Sequence, residues 1–138
     1  MELRLIFAIH RTTHRIGLFI SRHMPDLSQG EAHILSHLIE SGDVTIAELH
    51  RAFAHRRSTL TSVLDRLVER GLVTRQTSQR DRRSFVVSLT RAGKAKAGKV
   101  HRLLETIEAE ALRGADRKTI DIFTEVIGRV ERSASEEK

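Results

Sequence analysis

The residues in this 138-residue chain best placed to do chemistry are arginines and short hydroxyl side chains, set close together. Arg56-Arg57 leads directly into Ser58-Thr59-Leu60-Thr61-Ser62, followed by Asp65-Arg66, and a second group, Arg80-Asp81-Arg82-Arg83, lies 14 residues further on. Guanidinium groups make bidentate contacts to phosphate and guanine and enter narrow minor grooves. Hydroxyls let a helix approach a major groove closely and bond bases or phosphates. The pattern suits double-stranded DNA. Charge distribution points the same way: residues 1–50 carry a net −2, residues 51–83 a net +6 with every basic residue an Arg, and residues 84–138 a net +2. A quarter of the chain therefore accounts for the whole excess of +6.

Other chemistries have little to stand on. With no Cys, thiol nucleophiles, disulfides, iron–sulfur clusters and Cys-based zinc sites are ruled out. There is no Trp or Tyr and only five Phe, which disfavours aromatic ligand cages and single-strand stacking platforms. The only Gly-x-x-x-x-Gly spacing, Gly93 to Gly98, lacks the Lys-Ser/Thr of a phosphate loop, and the carboxylates offer no evident acid–base pair. No enzyme activity and no cofactor are expected. His10 and His14, and His33 and His37, are spaced i, i+4 and could share a metal face. A complete ligand set is not evident, and no metal is expected. The start Met1–Phe7 does not read as a signal peptide, its apolar run being broken by His10-Arg11, and no stretch approaches a membrane span. The expected location is cytoplasmic.

The elements that must position these side chains follow from periodicity. Leu3, Ile6, Ile9, Ile16 and Ile20 mark a helix over 3–23, which Pro25 breaks. Ser28-x-x-Glu31 is a capping box opening a second helix with Ile34, Leu35, Leu38 and Ile39 inward, ended by Ser41-Gly42-Asp43. Thr45-x-x-Glu48 opens a short third helix. Leu60, Val63, Leu64, Leu67 and Val68 define a fourth over about 58–70, with Gly71 as its terminator. The period then changes to two: Leu72–Arg75 and Phe85–Leu89 read as strands flanking a polar hairpin tip, Gln76–Arg83. Thr90 caps a long fifth helix, Gly114 stops it, and Asp116 caps a last one with Ile120, Phe123, Val126, Ile127 and Val130.

This order gives a mainly α fold with a small β-hairpin: a winged helix-turn-helix lobe at 28–90, flanked by helices 3–23 and 91–132. The outer apolar stripes look too extensive for so small a lobe to cover, so a second copy is expected to cover them and form a homodimer. In such a lobe the second helix enters the major groove with its N-terminal residues on base edges. That assigns Arg56, Arg57, Ser58, Thr59, Thr61, Ser62, Asp65 and Arg66 to DNA, with Arg66 and Arg70 holding the backbone or pairing with Asp65 and Glu69. The wing adds Arg80, Asp81, Arg82 and Arg83, with Asp81 buttressing Arg83. Two-fold symmetry predicts a palindromic or near-palindromic operator.

With these residues in view, the chain resembles the MarR (multiple antibiotic resistance regulator) family of winged helix-turn-helix transcription factors. The resemblance is carried by Thr45–Leu49, Ser58–Leu67, Gly71-Leu72-Val73, the wing Asp81-Arg82-Arg83 and the exit Leu89-Thr90-Arg91-Ala92-Gly93. It implies one domain over 1–138, a homodimeric repressor released by a small effector, and minor-groove entry by Arg83. One departure stands out: where the family usually has a small apolar residue before the recognition helix, this chain has Phe53-Ala54-His55-Arg56-Arg57. The alternatives are a winged-helix module that docks protein, or a sequence-tolerant nucleoid-type DNA-binding protein.

Overall fold

The computed structural model describes residues 2–53, 57–80 and 84–135, with the backbone alone at Arg57. Six helices and three short strands follow in the order α1 (Arg4–His23), α2 (Gln29–Ser41), β1 (Val44–Thr45), α3 (Ile46–Phe53), α4 (Arg57–Glu69), β2 (Val73–Thr77), β3 (Phe85–Leu89), α5 (Arg91–Ala111) and α6 (Arg117–Ser135). The expected fold class stands, with one addition. Val44–Thr45 forms a strand that the sequence reading assigned to a turn and a helix cap. Two residues are too few to show a period of two. They pair antiparallel with Val86–Val87, making β3 the centre of a three-stranded sheet ordered β1-β3-β2. The hairpin register runs from Val73 opposite Leu89 to Thr77 opposite Phe85.

Chain contacts divide the molecule into two units, Met1–Leu103 and Leu104–Lys138. The first holds the core. Ala32, Ile34, Leu35 and Leu38 of α2, Leu49 of α3, Leu60, Val63, Leu64 and Leu67 of α4, Val73 and Val87 of the sheet, and Ala97 and Val100 of α5 are all buried. The 3,4 spacing on the helices and the period of two on the strands put these residues on facing sides. Burying each such Leu contributes roughly 1.5–3 kcal/mol. In the second unit no described residue is buried.

Polar side chains fix the ends of the elements. Both capping boxes form. The Glu31 N–H donates to Ser28 Oγ at 3.1 Å while the Ser28 N–H donates to Glu31 Oε1 at 3.1 Å. Likewise the Thr45 N–H donates to Glu48 Oε2 at 2.7 Å and the Glu48 N–H to Thr45 Oγ1 at 3.1 Å. The last turn of α4 closes as a Schellman motif, with Gly71 at φ 70° and its N–H and that of Leu72 donating to the carbonyls of Val68 and Leu67. Thr90 then joins this end to α5. Its hydroxyl donates to the Gly71 carbonyl at 2.6 Å and accepts from the Gly93 N–H at 3.0 Å, and its own N–H donates to the Leu72 carbonyl. Gly93 is required here because α5 runs against the Leu72 backbone: a Cβ at this position would lie 1.8 Å from the Leu72 carbonyl oxygen.

A second tie lies nearby. The Arg70 guanidinium donates to the Asp26 carbonyl and to Glu31 Oε2, both at 2.8 Å, and to the Asp26 carboxylate at 3.2 Å, while Lys96 of α5 reaches the same Asp26 carboxylate. Arg70 therefore does not pair with Asp65 or Glu69 as the sequence suggested. Its partners are acids far upstream that the fold brings to it. Burial pushes the Glu31 carboxyl up, yet the Ser28 N–H, the Arg70 guanidinium and the Ser28 hydroxyl together hold it below its ordinary value. Asp26 is also held low, chiefly by its hydrogen bond to Lys96.

Two predictions follow from this packing. Gly93→Ala must displace either α5 or the backbone at Leu72 and should cost about 1–3 kcal/mol in chemical denaturation; an unchanged midpoint would show that the close approach is not there. Carboxyls depressed in the folded state stabilise it above their ordinary value, 4.5 for Glu31, and that contribution is lost as pH falls through the folded value. The Tm of the wild type should accordingly fall more steeply than that of Glu31→Gln between about pH 6 and about pH 3. Parallel curves would remove Glu31 from the acid sensitivity.

Candidate nucleic-acid interface

The helix-turn-helix consists of α3 and α4. Its second helix buries Leu60, Val63, Leu64 and Leu67, and α4 packs on α2 and on β2. Once that stripe is inside, the remaining face must point out. Ser58, Thr59, Thr61, Ser62, Asp65 and Arg66 are all exposed, so the structure brings these six expected residues onto one outward surface. Arg57 begins the helix. Arg56 lies outside the described residues, as does the side chain of Arg57.

Asp65 has a defined partner. Arg75 Nη2 of β2 donates to Asp65 Oδ1 at 2.8 Å, with the two side chains 31% and 55% exposed. The acid thus neutralises a strand guanidinium and links the wing to the outward face of α4, a link the sequence reading missed. The signal was present in Asp65 itself, since an acid at a phosphate-facing surface needs a cationic partner to be tolerated. The partner lay ten residues away, across a turn, instead of next door. Arg66 is exposed and forms no salt bridge among the described residues.

The Ser78 N–H donates to the Ser84 carbonyl at 2.9 Å, just below the tip. Arg80 is exposed, and its backbone N–H donates to Ser78 Oγ at 3.2 Å. Asp81, Arg82 and Arg83 lie outside the described residues, as does the suggested Asp81–Arg83 contact.

The histidines have other company. His33 and His37 flank Phe53, with ring centroids 6.4 and 5.2 Å away. His23 Nδ1 lies 2.9 Å from the Phe19 carbonyl. Among the described residues no three His, Asp or Glu side chains group as metal ligands, and no helix is long and apolar enough to cross a membrane.

Residues 25–84 match the family model described as MarR family. Similar solved structures agree over nearly the full chain. MarR from E. coli in its reduced form shares 22% identity with a TM-score of 0.73, covering 94% of this chain and 98% of that one. A SlyA-like transcription regulator from Listeria monocytogenes shares 20% with a TM-score of 0.75, covering 97% and 89%. A mutant MarR from E. coli complexed with operator DNA shares 22% with a TM-score of 0.72, covering 93% and 94%. The segment that matches the MarR family model contains α4 and most of the wing, and over nearly the full chain the fold is the winged-helix fold of those solved structures.

Proposed function

We propose that the protein is a sequence-specific double-stranded DNA-binding regulator, working as a homodimeric repressor released by a small effector. The observation that carries this reading is the outward face of α4: hydroxyls at Ser58, Thr59, Thr61 and Ser62 on its N-terminal half, and a charge-neutralised Asp65 followed by the exposed Arg66. The N-terminal half of a recognition helix is the part that reaches base edges, and its positive dipole end favours phosphate. Arg56 and Arg57 then take the backbone. Arg80, Arg82 and Arg83 on the wing take the neighbouring minor groove, with Arg83 inserted and Asp81 orienting it. A relative of the same fold occurs in complex with operator DNA.

The lobe at 28–90 reads the DNA, and helices 3–23 and 91–132 form the dimer. In support, Leu3, just before α1, and Leu5, Phe7 and Leu18 of α1 are exposed, and α6 by itself leaves Ile122 and Phe123 exposed with no residue buried. Amphipathic helices with so much bare apolar surface need a cover, and a symmetric second copy provides one without a new gene product. The function is carried out in the cytoplasm, at a palindromic or near-palindromic site.

The experiment is selection of bound duplexes from a random library, followed by Kd measurement over a range of salt. Operator affinity should fall steeply with salt, with specific DNA preferred over random DNA by at least about 10³. Arg83→Ala should weaken operator binding by about 1–3 kcal/mol while sedimentation still shows a dimer. No preference over random DNA would favour a nucleoid-type protein, no DNA binding at all a protein-docking module, and an unchanged Arg83→Ala affinity would remove the wing assignment.

A further inference from the structure

Arg70 sits one residue beyond α4, at the opposite end from the hydroxyl face. Sequence alone offers it as one more phosphate contact. Its donors, however, are turned into the protein: Nη1 serves the Asp26 carbonyl and Glu31 Oε2, and Nη2 the Asp26 carboxylate. Lys96 of α5 closes the cluster on Asp26. Two cations and two carboxylates cancel, so the group presents no net charge to attract a phosphate. Glu31 is the innermost member, its side chain only 6% exposed, and its other oxygen is already committed to the Ser28 N–H.

We propose that Arg70 is a positioning residue for DNA recognition: with Asp26, Glu31 and Lys96 it clamps the C-terminal end of α4 to the α1–α2 turn, α2 and α5, and so sets the angle at which the recognition helix meets the groove. This rests on the DNA-binding reading above. Apolar burial along α4 is non-directional and tolerates rocking. Charge-assisted hydrogen bonds to fixed acceptors do not. The lever is long: α4 has 13 residues, so it spans roughly 20 Å at about 1.5 Å per residue. A tilt of about 5° at the clamped end would swing the N-terminal turn by about 1.7 Å over that roughly 20 Å span. That displacement exceeds the tolerance of a hydrogen bond to a base edge.

The test compares full-length wild type with Arg70→Met, Glu31→Gln and Arg66→Ala on the duplex that wild type selects. Kd is measured against salt well below each variant's Tm, with the folded fraction checked by circular dichroism. Arg70→Met and Glu31→Gln change the net charge in opposite directions. A clamp requires both to weaken operator binding, by about tenfold, with the log–log salt slope unchanged. Arg66→Ala, on the outward face, should instead flatten the slope by about one. The proposal is overturned if Arg70→Met flattens the slope as Arg66→Ala does, if Glu31→Gln tightens binding while Arg70→Met weakens it, or if the folded variants bind as wild type does. Should Arg70→Met fail to fold, Glu31→Gln alone decides: weaker binding at constant slope supports the clamp, and unchanged or tighter binding contradicts it. If wild type selects no sequence, the DNA-binding reading itself has failed and the clamp falls with it.

Discussion

A 13-residue helix in a small lobe can bury only one stripe, and everything distinctive about this protein follows from which stripe α4 buries. Leu60, Val63, Leu64 and Leu67 are drawn in because each removes apolar surface from water. The hydroxyls on the rest of the helix surface are polar groups whose burial would cost free energy. The same partition that stabilises the lobe therefore displays Ser58, Thr59, Thr61 and Ser62 on its surface. On the proposed reading, fold stability and recognition are two faces of one segregation along a single helix.

Burial fixes which face is outward but only loosely fixes the helix's inclination. The polar ties supply the rest. At the C-terminal end, Gly71 turns the chain, Thr90 binds the Gly71 carbonyl to α5, and Arg70 binds Asp26 and Glu31. On the outward side, Arg75 of the wing strand grips Asp65. Helix and wing are thus joined at one point by an ion pair and at another by the backbone that runs from Gly71 through Leu72 into β2. On the DNA-binding reading proposed above, the two elements that would meet DNA are held relative to each other before any DNA arrives, which reduces the ordering cost of binding.

Much of this was legible in the sequence. The apolar spacing on α4 identified its buried and exposed faces, and both capping boxes marked true helix starts, because these signals are local. The Leu89-Thr90-Arg91-Ala92-Gly93 run was visible as a family likeness, but its physical reason was not: the need for glycine lies in a close approach to the Leu72 carbonyl, across a distance in sequence that no periodicity reports. Long-range ion pairs failed for the same cause. Arg70 was assigned to near neighbours, whereas its acids are 39 and 44 residues upstream. Arg75 was not singled out at all. Strand β1 was missed because two residues cannot display alternation, and the capping signal at Thr45 masked it. The wing residues Asp81, Arg82 and Arg83 lie outside the described residues, so their place rests on sequence.

The central claim is that two copies of α4 read neighbouring major-groove turns while the wings occupy the minor groove beside them. Hydroxyl-radical footprinting of the selected duplex tests it most directly. The account predicts protected patches on each strand related by two-fold symmetry, with centres about one helical turn, roughly 34–36 Å, apart. Continuous protection without that period, or a single unpaired patch, would contradict it.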